Sequence, residues 1–161
     1  MPGVQISYVL LGCLAIALLY AAFTDFRRRE IDNWLTLGIA LSAPLFWWAS
    51  GLTLWPDVAW QVGLALITFC AAAGLFALGG MGGGDVKLIA ALALWIAPMP
   101  FMRLLIVMSI VGGVLSLLIL ILRKVRRNPE RGQVPYGLAI SAAGLWTLGS
   151  QHLGMLPGAA T

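Results

Sequence analysis

The sequence is poor in charged residues, in histidine and in cysteine. Only 10% of its 161 residues are charged, against roughly 25% in soluble domains, and 61% are hydrophobic, with a mean hydropathy of +0.95. A soluble fold of this length could not bury so many apolar side chains, whereas lipid accepts them on every face of a helix. The composition therefore indicates an integral membrane protein.

The scarcity of nucleophiles and metal ligands excludes several kinds of enzyme. A single histidine, His152, cannot build a His-Glu-x-x-His zinc site, and no Gly-x-Ser-x-Gly segment offers a serine nucleophile. Cys13 and Cys70 stand alone in apolar stretches, so we expect two packed, unreactive thiols. Neither a metal ion nor a cofactor is expected.

Long apolar runs, by contrast, are abundant and predict an all-α membrane protein, a six-span helical bundle forming one domain over residues 1–161. The runs cover residues 6–23, 34–52, 58–78, 86–97, 101–122 and 134–153. Most reach the roughly 17–25 residues that a spanning helix needs, but the fourth ends early, before Pro98. We expect the glycine-rich loop before this short fourth span to enter the membrane layer as irregular backbone covered by other helices.

Basic residues lie almost entirely on one side of this predicted bundle. Arg27, Arg28 and Arg29 follow the first run, Lys87 begins the fourth, and residues 123–131 hold five more. Because positive residues concentrate on the cytoplasmic side, these segments are predicted to face the cytoplasm and both termini to face outward.

Membrane lipids are predicted partners for two reasons. The net charge of +4 comes from loop residues, and no basic segment is interleaved with aromatic residues, so anionic lipid is favoured over nucleic acid. The tryptophans are predicted to form belts at the membrane interfaces. They include Trp34, Trp47, Trp48, Trp55 and Trp95.

Two acids, Asp25 and Asp85, lie where an apolar run meets a charged or glycine-rich segment. Ionisable residues in such places are costly and mark functional sites. Two crossings separate them, so both are predicted near the cytoplasmic face, within reach of each other in a small bundle. Paired carboxylates that share a proton can perform aspartic proteolysis, one accepting a proton from the attacking water and the other hydrogen bonding to the peptide carbonyl. Taken singly, Asp25 could instead pair with Arg28 or Arg29, and Asp85 could cap a helix.

The segment before Asp85 is the most unusual in the chain, since five of residues 79–84 are glycine. Glycine lets a backbone approach its neighbours closely, so Gly82, Gly83 and Gly84 are predicted to shape the site and admit an extended peptide. Tight helix packing is the alternative reading. Lys87 either reaches the lipid headgroups or tunes the acids.

Three segments together resemble the type IV prepilin peptidases, the bacterial branch of the GxGD membrane aspartic proteases. GGGDVKL at residues 82–88 is similar to the GxGD signature, and residues 25–33 resemble the first-aspartate segment through Asp25, the basic stretch, Ile31 and Asn33. VPYGLAI at residues 134–140 resembles the Pro-Tyr-Gly opening of the last span. The resemblance covers nearly the whole chain.

This resemblance implies a function and a location. It implies an aspartic endopeptidase that cleaves prepilin-like membrane precursors after a glycine, at the cytoplasmic face of the bacterial inner membrane, just before the apolar segment that becomes the pilin helix. Asp25 and Asp85 would be catalytic, with Asn33, Pro135 and Tyr136 around them. Larger relatives carry Cys-x-x-Cys pairs and also methylate the new terminus. This chain lacks that segment and resembles the short form associated with tight-adherence (Flp) pili.

Alternatives remain open at this level. Asp32 stands where relatives commonly have proline, and it is predicted to be a helix cap or solvated acid, with substrate orientation as the other reading. A small proton- or cation-coupled transporter could use the same two acids, although no inverted repeat is evident. A non-catalytic assembly scaffold is a third possibility. The individual prepilin and the oligomeric state are open.

Overall fold

The computed structural model describes residues 2–126 and 136–153, and these residues form six α-helices and no strand. The helices are α1 (Pro2–Arg28), α2 (Asn33–Ala49), α3 (Ala59–Ala77), α4 (Gly83–Ala93), α5 (Pro98–Arg126) and α6 (Tyr136–Leu153). A short kinked turn, Leu54–Val58, with extended backbone at Trp55, leads into α3. The all-α prediction is confirmed, and each helix falls on one of the six predicted apolar runs, with its ends shifted by a few residues.

Three segments of the described chain are long and apolar enough to cross a membrane. They are Gly3–Arg28, Leu54–Ala77 and Pro98–Leu122. Large apolar side chains cover the outward faces of these segments, as at Ile67, Ile110 and Leu117. Lipid-facing helices present such surfaces, whereas soluble proteins rarely expose contiguous apolar patches of this extent. The fold therefore belongs to a membrane protein.

The shortest helix, α4, is the most enclosed. It has 11 residues and packs against α2, α3 and α6. At about 1.5 Å per residue it is about 16 Å long, too short to cross a bilayer. Backbone that ends inside a membrane must be covered by protein, and the neighbouring helices supply that cover. The buried side chains of α4 are Asp85, Val86, Leu88, Ile89, Ala91, Leu92 and Ala93.

The glycine-rich segment is less irregular than the sequence predicted. Gly83 and Gly84 belong to the first turn of α4, so the non-helical backbone is limited to residues 78–82. Gly79 has a positive φ of 74° and ends α3, where the Gly79 and Gly80 amides donate to carbonyls of the preceding turn. This pair of hydrogen bonds, together with a glycine in the left-handed conformation, is the usual motif at a helix C-terminus. Two of the five glycines thus terminate one helix and two begin the next.

Trp95 is buried, which corrects the prediction that it belongs to an interface belt, and both Trp47 and Trp95 donate hydrogen bonds to backbone carbonyls of other segments. The Trp47 indole N–H donates to the Leu94 carbonyl at 2.7 Å, and the Trp95 indole N–H donates to the Ile39 carbonyl at 2.8 Å. Trp95 is only 5% exposed. Carbonyls at a helix C-terminus lack intrahelical donors, so an indole from α2 satisfies one just beyond α4. Trp34, Trp48 and Trp55 are exposed, as a belt requires.

Loss of the Trp47 hydrogen bond should weaken the bundle. Trp47→Phe keeps an aromatic ring but leaves the Leu94 carbonyl without this donor, so we expect a loss of about 1 kcal/mol in unfolding free energy. Denaturant unfolding in mixed micelles measures it. Trp48→Phe is the matched control, since the Trp48 ring is exposed. Equal stability of the two variants would contradict a structural role for the indole bond.

Both cysteines are exposed, contrary to the expectation of packed thiols. Cys13 lies on α1 and Cys70 on α3, and each is a free thiol. The runs that contain them are apolar on all sides, so hydropathy does not reveal which face meets the core.

Candidate active site

Asp25 lies in the last turn of α1, which continues past the predicted end of the first apolar run. Its side chain is only 4% exposed, and its Oδ2 accepts the backbone N–H of Leu138 at 2.9 Å. Leu138 belongs to the first turn of α6, where backbone N–H groups have no intrahelical partner and attract carboxylates. The start of α6 therefore positions the Asp25 carboxylate. The alternative, in which Asp25 is an interfacial acid paired only with an arginine, does not account for this contact.

Gly137 provides the space for this contact. A Cβ atom added at Gly137 would lie 2.9 Å from both Cγ and Oδ2 of Asp25, and 2.6 Å from Cδ1 of Ile31. These separations are shorter than non-bonded carbon contacts allow. Any larger residue would therefore displace the carboxylate or the Ile31 side chain.

Asp85 is the third residue of α4 and is 6% exposed. Its Oδ2 accepts the Gly82 N–H at 3.2 Å, which caps the helix start. Gly82 has no side chain to return the bond, and a Cβ there would lie 2.8 Å from the same oxygen. The second oxygen, Oδ1, is buried and has no hydrogen-bond partner among the described residues. Capping thus uses one oxygen and leaves the other available.

The two acids line one cavity of about 320 Å³, called here the acid cavity. It lies between the segment that joins α1 to α2 and the glycine-rich start of α4. The lining residues are Asp25, Arg29, Glu30, Ile31, Asn33, Gly82, Gly83, Gly84 and Asp85. The fold brings together most of the residues that the sequence predicted for the site.

The Ile31 side chain packs between the start of α4 and the start of α6. A Cβ at Gly84 on α4 would lie 3.0 Å from the Ile31 Cβ, and one at Gly137 on α6 would meet its Cδ1. Ile31 is buried. Because Gly84 and Gly137 have no side chains, α4 and α6 can both pack closely against Ile31. This packing sets how near the two helices come to the acids.

The acids influence each other electrostatically. Burial and, to a lesser degree, the neighbouring charge of Asp25 together raise the pKa of Asp85 to about 7, against the opposing effect of the Gly82 hydrogen bond. Asp85 lies outside the three candidate spans. Two carboxylates in one poorly solvated cavity share a proton rather than ionising together. At neutral pH this pair can hold one proton.

Lys87 and Asn33 interact with each other rather than with the acids. The Lys87 Nζ donates to the Asn33 Oδ1 at 2.7 Å, and both residues are exposed. Asn33 lines the acid cavity, whereas Lys87 is not among its lining residues. The hypothesis that Lys87 tunes the acids by contact therefore gains no support.

The remaining predicted residues lie at the edge of the site or outside the description. Tyr136 is half-buried, and its ring packs on α5, where a Cβ at Gly112 would lie 3.1 Å from its Cε1. It does not line the acid cavity. Pro135 lies outside the described residues. Asp32 occupies the N-cap position of α2 without a side-chain cap bond and accepts instead the Tyr20 hydroxyl at 3.4 Å.

Sequence reasoning missed two contributors to the site. One is the Leu138 N–H, and its signal was present, because a Pro-Tyr-Gly helix start supplies unpaired N–H groups. The other is Glu30, an exposed acid on the cavity wall. No group of three histidine, cysteine, aspartate or glutamate side chains is placed for metal binding within the described segments.

An all-helical fold, an apolar outer surface and two buried acids in one cavity define a helical membrane protein with a paired-carboxylate site. A model of the type IV leader peptidase family matches residues 12–117 of the 161, a range that includes both acids. The chain belongs to the type IV leader peptidase family. No curated protein and no solved structure matches it significantly.

Family membership implies a protease that acts on leader-bearing, prepilin-like substrates. The predicted resemblance is thereby confirmed. α6 lies beyond the matched range, so its contact with Asp25 is known from the fold alone.

Proposed function

We propose that the protein is an intramembrane aspartic endopeptidase that removes the leader of prepilin-like precursors after a glycine. Asp25 and Asp85 form its catalytic pair. The observation that carries this proposal is the acid cavity, which is lined by both buried carboxylates of a leader peptidase family chain. Aspartic proteolysis needs two such groups on either side of one peptide bond.

The environments of the two acids support different roles. Each acid accepts a backbone N–H at a helix start, but the Leu138 bond to Asp25 is 2.9 Å and the Gly82 bond to Asp85 is 3.2 Å, so the charged carboxylate is favoured more at Asp25. In the proposed mechanism Asp25 is ionised and takes a proton from water as the water attacks the peptide carbonyl. Asp85 carries the proton, and its unpartnered Oδ1 donates it in a hydrogen bond to the carbonyl oxygen. Asp25 then returns a proton to the leaving amine.

The glycines beside the acid cavity support access by an extended peptide. Gly82, Gly83 and Gly84 form part of its wall and project no side chains into it. Peptide backbone can therefore approach the acids closely. Site shaping by these residues and by Asn33 belongs to this proposal, as does a peripheral role for Tyr136.

The membrane arrangement is the second part of the proposal. The chain forms one domain that crosses the bacterial inner membrane six times, with both termini outward, and the glycine-rich segment together with α4 forms the short fourth crossing. The basic residues after α1 and α5 support a cytoplasmic acid cavity. The chain lacks Cys-x-x-Cys pairs, which supports the short, tight-adherence pilus type.

Leader removal by the reconstituted protein tests the proposal, and its pH profile tests the assignment of the proton. The substrate is a prepilin-like precursor with a leader that ends in glycine, placed in the same vesicles. We expect kcat/KM to fall as pH rises through about 7, because Asp85 is then ionised and cannot donate to the carbonyl oxygen. The fall should approach about tenfold per pH unit on the alkaline side.

Gel mobility or mass spectrometry of the product measures this rate between about pH 5 and about pH 9. A substrate with alanine in place of the leader glycine controls for cleavage elsewhere. Absence of cleavage by correctly inserted protein would refute the peptidase function. Cleavage that stays constant or rises up to about pH 9 would refute a protonated Asp85 as the acid while leaving the peptidase in place.

A further inference from the structure

A second, larger cavity opens on the side of the bundle and is called here the apolar groove. Its volume is about 600 Å³, and it runs between α2, α3 and α4. Each helix contributes four residues at spacings of three, four and seven, which is one face of a helix over about two turns. The lining residues are Asn33, Thr36, Leu37 and Ala40 from α2, Val62, Ala65, Leu66 and Phe69 from α3, and Lys87, Ala90 and Ala91 from α4 with Leu94 at its C-cap.

The apolar groove has a small-residue floor and a large-residue rim. Ala65 and Ala91 are buried, whereas Leu37, Leu66 and Phe69 are exposed. Small residues let a second helix approach a backbone closely, and large apolar residues at the edges then enclose its side chains. Two turns are about 10 Å long, so the groove suits part of a helix.

The apolar groove adjoins the acid cavity. Asn33 lines both, and Lys87, which lines the groove, donates its hydrogen bond to the Asn33 side chain. The Asn33 and Lys87 side chains are therefore the polar boundary between a cavity with two acids and a groove with apolar walls. A chain that enters from the acids meets the groove immediately past this boundary.

We propose that the apolar groove binds the apolar helix of the substrate, the segment that directly follows the cleaved bond. This inference rests on the proposed peptidase function. A precursor with its scissile bond at Asp25 and Asp85 has an extended stretch in the acid cavity, and its apolar segment continues past Asn33 into the groove. Docking of that helix fixes the register of the peptide relative to the acids, because helix and scissile bond are joined by few residues.

Crosslinking at two adjacent residues of α3 tests the groove. Leu66 lines the apolar groove and is 61% exposed, whereas its neighbour Ile67 is 69% exposed and does not line it. Benzoylphenylalanine is incorporated in place of each in the full chain carrying Asp85→Asn, in membranes that contain the precursor. The precursor has a leader ending in glycine and an apolar helix of about 20 residues.

We expect the precursor helix to crosslink from position 66 about tenfold more than from position 67, since only the first faces the docked helix. Equal yields from the two positions would overturn the proposal. Adducts with lipid but not with the precursor at position 66 would also overturn it and assign the groove to an acyl chain.

A kinetic pair supplies a second measurement. Leu66→Trp narrows the apolar groove and is expected to raise KM for the precursor about tenfold with little change in kcat, whereas Ile67→Trp should leave both unchanged. The two proposals fail separately. Absence of cleavage by the unmodified protein would refute the peptidase function, and the crosslinking yields would then still test whether the precursor helix binds in the groove. Cleavage with equal behaviour at both positions would refute the groove alone.

Discussion

Asp25→Asn and Asp85→Asn are each expected to lower kcat/KM for leader removal by about 1,000-fold or more. The amide keeps the shape of each side chain but can neither accept the proton of the attacking water nor share one proton with the other acid. Because the acids act as a pair in one cavity, the double variant should be little worse than either single variant. Loss of the precursor leader in vesicles, followed by gel mobility, measures the effect.

The matched control is Asp57→Asn, which changes an exposed acid in the turn before α3 that does not line the acid cavity. It should cleave at the rate of the unmodified protein. Retention of cleavage in either Asp25→Asn or Asp85→Asn would exclude the paired mechanism. A transporter that used the same acids would lose ion flux in these variants, and the unmodified protein would leave the precursor intact.

Loss of activity in Asp85→Asn can be separated from misfolding by its stability. The pKa of Asp85 is raised to about 7 in the folded protein, so the folded state holds this proton more tightly than the unfolded chain does. The stabilisation is complete below the unfolded pKa and is lost as pH rises through about 7. The asparagine variant has no charge to bury. Its stability relative to the unmodified protein should therefore increase with pH up to about 7 and then level off.

Gly137→Ala is expected to reduce kcat/KM about 100-fold, the second largest effect. The added methyl group would lie 2.9 Å from the Asp25 carboxylate and 2.6 Å from Ile31, so one of them must move. A catalytic group displaced by about 1 Å loses most of its contribution to rate. The substitution should not unfold α6, since alanine favours a helix by about 1 kcal/mol over glycine.

Gly113→Ala is the matched control, because a Cβ at this position on α5 has no neighbour within 4 Å. It makes the same chemical change in another helix and should leave cleavage unchanged. Denaturant unfolding of both variants shows whether either destabilises the bundle. Equal activity of Gly137→Ala and Gly113→Ala would mean that the packing of α6 against Asp25 is unimportant for catalysis.

Much of the helix order could be predicted because it depends on local composition. Six apolar runs correspond to six helices, and the short fourth run corresponds to the short α4. Two predicted membrane crossings separate Asp25 from Asp85, so both acids are predicted on the same face in one shared site. In the structure the two acids line one cavity. Crossing number is a topological property, so it can be read without knowledge of side-chain packing.

Helix faces could not be predicted, and the errors have a common cause. Cys13 and Cys70 are exposed and Trp95 is buried, each opposite to expectation. In a soluble protein, polar residues mark the outer face of a helix, but here lipid and core are both apolar. The sequence therefore contains little information about which side of each helix meets its neighbours.

The sequence by itself determined that this is an all-helical, apolar chain with a glycine run and with two acids, Asp25 and Asp85, at the ends of apolar runs, because these are properties of composition and order. Tertiary structure alone decided that the start of α6 holds Asp25, that one oxygen of Asp85 stays unpartnered, and that Asn33 joins the acid cavity to the apolar groove. Each of these depends on contacts between helices distant in sequence. Such contacts arise from close packing of side-chain shapes, which residue order alone does not reveal.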